Sequence, residues 1–344
     1  MKKLLLLPLL ALAFCAATTT ASAKDQLHLY TWADYIKPEL VTRFEKEHKC
    51  KVVIDTFDSN EAMYAKVRAG ATGYDLIVPS SYMVKLMAGQ GLIQPLDPAQ
   101  LPNLKNIDPE VLGKIPDKKM EHAVPYATSY GVLAYRKDRI KDPVASWSML
   151  DRDGYHRKSC LLNDMRETLG AALKYQGHSL NTHDEKELAA ARDVVIGWKK
   201  HIAKFDNEQY KSAIDAGEFI LVHGYSGDLF QVVKDNPKVG ILMPKEGMTM
   251  ACDELVIPKS APNPALAYAW INFILDPAVA AENMEFMGFL SPNKEALKQV
   301  SPAFLKNPAV SIPADLKPKC EVIEDLGDDL AKYTKVWDEV KAAK

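Results

Sequence analysis

Between residues 27 and 90 short apolar runs alternate with helix-length amphipathic runs, and that order leaves few folds open. Leu27 and Leu29 alternate with His28 and Tyr30, the period of two expected of a half-buried strand. A helical run follows Pro38 over 39–48, then a β-branched strand over 51–56. Residues 60–69 place Met63 and Val67 on one helix face. Residues 74–78 form a continuous apolar run closed by Pro79, as in a buried parallel strand, and 82–90 a helix stopped by Gly91. Strand and helix in strict alternation imply an α/β lobe with a mostly parallel sheet.

The rest of the chain is too long for the core of one lobe, so two lobes are expected. After a proline-rich stretch over 95–116, two extended segments, 123–126 and 131–135, follow, the second carrying the chain across. Further strands are predicted at 159–162, 219–224, 239–243 and 255–258. Helices are predicted at 166–175, 184–202, 228–235, 264–275 and 328–341. The expected division is 24–132 with 251–296 in one lobe and 133–250 with 297–344 in the other. Residues 1–23 stand apart: Lys2 and Lys3, an apolar run over 4–17 and Ala21-Ser22-Ala23 make a cleavable export leader. The apolar run is too short to span a bilayer. A periplasmic chain is therefore expected. With 43 basic and 45 acidic residues and no basic stripe, a nucleic-acid partner is not indicated. Cys50, Cys160, Cys252 and Cys320 show no metal-ligand spacing; two disulfides in any of three pairings, or buried thiols, are both open to them. Cys252, beside Asp253, is expected to be a packed free thiol.

What recurs at the strand ends is acid beside aromatic. The first strand runs into Trp32-Ala33-Asp34-Tyr35. The strand at 74–78 ends in Ser80-Ser81-Tyr82, and that at 159–162 in Asp164 with Glu167 three residues on. The strand at 219–224 ends in Tyr225 and Asp228, and Asp253 precedes the return strand. Open α/β sheets bind ligands at such ends. Carboxylates pair with ammonium groups and rings cover methylenes or the charge itself, so the set suits an organic cation. Each residue also has a purely structural explanation. Asp164 is a natural helix N-cap, Asp228 and Ser80 sit where helices start, and tyrosines more often pack than stack on ligands. Structure alone does not explain why all of them share one topological edge.

The segments LYTWADYI, SNEAMYAKV, YDLIVPSSYMV, VPYATSYGVLAY, NDMRET, PKEG, INFILDP and GFLSPN extend this through nearly the whole chain. As a set they resemble the periplasmic spermidine/putrescine-binding proteins, the substrate-capturing subunits of polyamine ABC transporters. The resemblance implies a two-lobed type II periplasmic binding-protein fold, each lobe a mixed sheet flanked by helices, with the ligand between the lobes. It also implies a ligand set of Trp32, Asp34, Tyr35, Ser80, Tyr82, Asp164, Glu167, Tyr225, Asp228, Asp253 and Phe289. It depends on no cofactor and no metal. The implied partners are a polyamine and an inner-membrane ABC permease, for a chain working as a monomer. There are departures from the family pattern. Tyr225 replaces a tryptophan, Ala251 stands where an aromatic is general, and Ile323 falls near the glutamine of spermidine binders.

Rival classes are a sensor signalling to a membrane receptor, a secreted hydrolase using a carboxylate pair, and a ferric-ion carrier. The hydrolase lacks G-x-S-x-G, H-E-x-x-H, a phosphate loop and clustered His-Cys ligands. The ferric carrier would want adjacent tyrosines, and here they are spread out.

Overall fold

A computed structural model describes residues 26–155, 157–310 and 312–343 of the chain, and the leader predicted over 1–23 lies outside them. Strands β1 (Gln26–Thr31), β2 (Lys51–Thr56) and β3 (Leu76–Ile77) pair in parallel, with β1 in the middle. The helix Pro38–His48 joins β1 to β2; Pro38 opens it and Lys49, left-handed, ends it. The helix Asn60–Arg68 starts where the Ser59 hydroxyl accepts from the amide of Ala62. Alternate residues serve opposite faces. Leu27, Leu29, Leu76 and Val78 enter one core, and Tyr30 and Ile77 another, where Tyr30 stacks on Tyr74 at 4.6 Å. The half-buried strand expected at the start is thus covered on both sides, because helices lie over both faces.

Strand β4 (Ala123–Arg136) unites what the sequence divides into two extended segments. Residues 123–130 run antiparallel to β9 (Thr249–Val256), with a register break at Pro125, which has no amide to donate. From Gly131 onward β4 pairs instead with β7 (Leu221–Tyr225) and β8 (Val239–Leu242). Strands β5 (Ser159–Leu161) and β6 (Ile202–Phe205) continue that side, parallel to β7. The strand order is β2-β1-β3-β9-β4-β7-β5-β6, with β8 also on β4, and with β10 (Glu321–Val322) on β9. The molecule therefore has two lobes joined by β4 at Tyr130–Gly131 and by the start of β9.

A third passage lies late in the chain. Val300, Phe304, Ala309 and Val310 pack in the core of the first lobe, whereas Leu316, Leu326 and Tyr333 pack in the second. The chain so re-enters the second lobe after Val310, later than the boundary at 297 expected from sequence. The helix predicted over 184–202 ends at Lys199, and β6 begins three residues on. Its pattern, Ile202 buried and Ala203 exposed, is too brief to separate from the helical run before it.

Candidate functional site

The ends of β1, β3, β5, β6 and β7 and residues 250–253 within β9 meet at the junction, around a cleft that opens to solvent. On the first lobe, Asp253 of β9 is 5% exposed. The Tyr35 hydroxyl donates to its Oδ2 at 2.5 Å and the Ser80 hydroxyl to its Oδ1 at 2.6 Å. Ser80 is aimed by Asn60, which accepts from the Ser80 amide and donates to its Oγ, both at 3.0 Å. With that lone pair taken, the Ser80 proton points to Asp253. Burial pushes the Asp253 carboxyl up to about 6, against the pull of the two hydroxyls. Each carboxylate oxygen keeps a further acceptor site for an incoming donor.

Asp34 adopts the left-handed conformation, φ 58°, which Asp tolerates better than most side chains. The turn sends Tyr35 inward and leaves the Asp34 side chain 77% exposed on the rim. Tyr35 is fixed through its carbonyl, which accepts from the Tyr126 hydroxyl at 2.6 Å and the Asn283 amide at 3.1 Å.

On the second lobe Asp164 does cap the helix Met165–Tyr175, accepting from the amides of Arg166 and Glu167 at 2.9 and 3.0 Å. The cap leaves its other oxygen toward the cleft, where the Tyr225 hydroxyl lies at 3.4 Å. One oxygen serves the helix start while the other faces the cleft. Glu167 is 2% exposed and accepts from the Thr249 hydroxyl. Burial, and then the charge of Asp164, push its carboxyl up to about 8. Asp228 accepts from the Tyr210 hydroxyl at 2.5 Å and lies 3.5 Å from the Lys211 ammonium. Its carboxyl too is raised by burial.

Aromatic rings form the walls. Tyr35 lies 6.4 Å from Trp32 and 5.0 Å from Phe289, centroid to centroid. Phe289 presses so closely on Gly227 that a Cβ there would stand 2.2 Å from its ring. Tyr82 donates to Glu61 at 3.2 Å while its ring lines the cleft. Trp32, Tyr35, Ser80, Tyr82, Asp164, Glu167, Tyr225, Asp228, Asp253 and Phe289 are thus brought together, and Asp34 stands at the rim. Cys252, expected as a packed thiol, is 1% exposed and free, its thiol raised by burial.

The sequence reading passed over Asp58, Asn60, Asn207, Glu208 and Lys211, which also line the cleft. Three of them follow β6. The signal was there, a short apolar strand ending in Asp206-Asn207-Glu208, but the long helix before it absorbed the strand. The lining carries Asp58, Asp164, Glu167, Glu208, Asp228 and Asp253 against a single basic side chain, Lys211. Such a surface attracts cations, and its rings favour one with an apolar body.

Residues 39–312 match the family model of bacterial extracellular solute-binding proteins. The chain is 35% identical over 337 residues to a spermidine/putrescine-binding periplasmic protein of Salmonella typhimurium, covering 97% of each chain. It is 33% identical over 355 residues to a putrescine/cadaverine-binding protein of Pseudomonas aeruginosa, covering 99% of each. Among solved structures it resembles a spermidine/putrescine ABC transporter substrate-binding protein of Streptococcus pneumoniae. There the TM-score is 0.81 and the identity 30%, over 92% of this chain and 98% of the other.

Proposed function

The chain belongs to the bacterial extracellular solute-binding proteins, and from that premise we propose that it captures a linear aliphatic polyamine in the periplasm and delivers it to an ABC permease. The family is one of binding proteins, not enzymes, so the cleft has to be explained by recognition alone. The observation that carries the reading is Asp253, buried, held by two hydroxyl donors and facing carboxylates of the opposite lobe.

One terminal ammonium pairs with Asp253 and the other with the Asp164/Glu167 group. Hydrogen bonds to charged groups contribute about 1.5–3 kcal/mol each. Between them the rings of Trp32, Tyr35, Tyr82, Tyr225 and Phe289 cover the methylenes, at about 0.8 kcal/mol per buried CH₂. A ligand that touches both lobes stabilises their closed arrangement over the open one, and the closed form is what a permease can recognise. One chain supplies both walls, so a monomer suffices.

A thermal-shift panel tests this. Putrescine, cadaverine and spermidine are expected to raise the melting temperature through binding to the native state, and glucose and ferric citrate to leave it unchanged. A shift by sugar or iron with none by any amine would overturn the proposal.

A further inference from the structure

The cleft already contains an ammonium group. Lys211, on the helix Tyr210–Ala216, places Nζ 3.5 Å from Asp34 on the first lobe and 3.5 Å from Asp228 on the second. It is the one Lys or Arg among the described residues that line the cleft. We propose that Lys211 is a built-in cation that fills one ammonium position of the site and so makes it select diamines over triamines. This rests on the polyamine reading and goes beyond it to the length and charge of the ligand.

The anchoring of Lys211 is fixed by its neighbour. The hydroxyl of Tyr210 donates to Asp228 at 2.5 Å and accepts from the Tyr225 amide at 3.1 Å. Its ring lies where a Cβ on Gly224 would stand 2.3 Å away, so only glycine lets the helix come this near to β7. The lysine is thus tied to the cleft wall at its backbone, with its side chain 25% exposed. Both carboxylates stand beyond the about 2.7–2.9 Å of a direct charge-assisted bond. The ammonium is therefore shared between the two lobes, as a ligand's would be, and not locked to either. Burial draws its pKa down, but the charges of Asp228, Asp34 and Glu208 outweigh that and hold it above the ordinary lysine value, so it stays charged.

A diamine brings two charges, for Asp253 and for Asp164/Glu167. A triamine brings a third charge, while Lys211 already shares its own among Asp34, Asp228 and Glu208, which leaves Asp58 as the other lining acid. A third ammonium drawn to Asp34 or Asp228 must displace that of Lys211 or lie beside a like charge.

The test is calorimetric titration of wild type, Lys211→Met and Lys211→Arg with putrescine and spermidine. Wild type is expected to prefer putrescine. Lys211→Met should improve spermidine affinity relative to putrescine by about tenfold, as a like-charge conflict is relieved, while Lys211→Arg keeps the wild-type ratio. Lys211→Gln, with a polar tip, repeats the measurement should the methionine variant fold poorly. An unchanged ratio in the charge-removing variants overturns the inference and leaves polyamine binding standing. So does tight binding of 4-aminobutyrate that is lost in Lys211→Met, which would make the lysine an anion subsite. A wild type that binds no amine defeats both readings.

Discussion

At the scale of single residues the site depends on carboxylates held short of full ionisation. Burial pushes Asp253 to about 6 and Glu167 to about 8, each above its ordinary value. An ammonium stabilises only the carboxylate form, so binding near neutral pH has to expel protons from these groups. Affinity is then expected to climb as pH rises from below about 6 to above about 8, by linkage. Titration of putrescine in two buffers of different ionisation enthalpy reads the released protons directly; heats independent of the buffer would contradict it. Much at this scale was legible in the sequence. Asp164, Asp228 and their neighbouring rings follow apolar runs, and a strand end is a place that can be read from periodicity; Asp253, expected just before a strand at 255–258, lies inside β9, which begins earlier at Thr249. What could not be read is orientation. Asp34 and Tyr35 are adjacent, yet a left-handed turn sends one to the rim and the other inward. The Asn60–Ser80–Asp253 chain joins residues 20 and 173 positions apart, which no local pattern encodes.

At the scale of elements the decisive one is β4, whose halves belong to different lobes. The passage occurs at Gly131, and the close approach there explains the glycine. A Cβ on it would lie 2.5 Å from the Thr249 hydroxyl and 2.7 Å from Glu167 Oε2. Gly131→Ala is therefore expected to force Thr249 and Glu167 apart, lowering stability by about 1–3 kcal/mol, as overpacking does. Denaturant unfolding measures this, and a variant as stable as wild type would show that the crossing can yield. The sequence reading saw two extended segments here because Ala127, Thr128 and Ser129 interrupt the apolar run. Backbone pairing on both edges made them one strand. The missed strand β6 is the opposite error. Four residues directly after a fifteen-residue helix give periodicity too little to work on, and Glu208 and Lys211 were lost with it.

At the scale of the whole molecule, two separately packed lobes share an acidic cleft, and the strands that connect them run directly behind it. On the proposed reading the ligand ties one lobe to the other, with Asp253 on one side and Asp164 and Glu167 on the other. The two-lobed architecture was legible from length and from the strand-helix alternation. Where the chain last crosses was not, since the shift from Val310 to Leu316 carries no break in composition. Because Asp253 is the buried anchor of the first lobe, solvent screens its charge little, and loss of that charge should be felt strongly. The direct measurement is calorimetric titration of putrescine into the wild-type protein and into Asp253→Asn. Saturable binding of one ligand per chain is expected in the wild type. In the variant, affinity should be weaker by about 1.5–3 kcal/mol, the worth of one hydrogen bond to a charged group. No binding by the wild type, or equal affinity in the two proteins, would contradict the account.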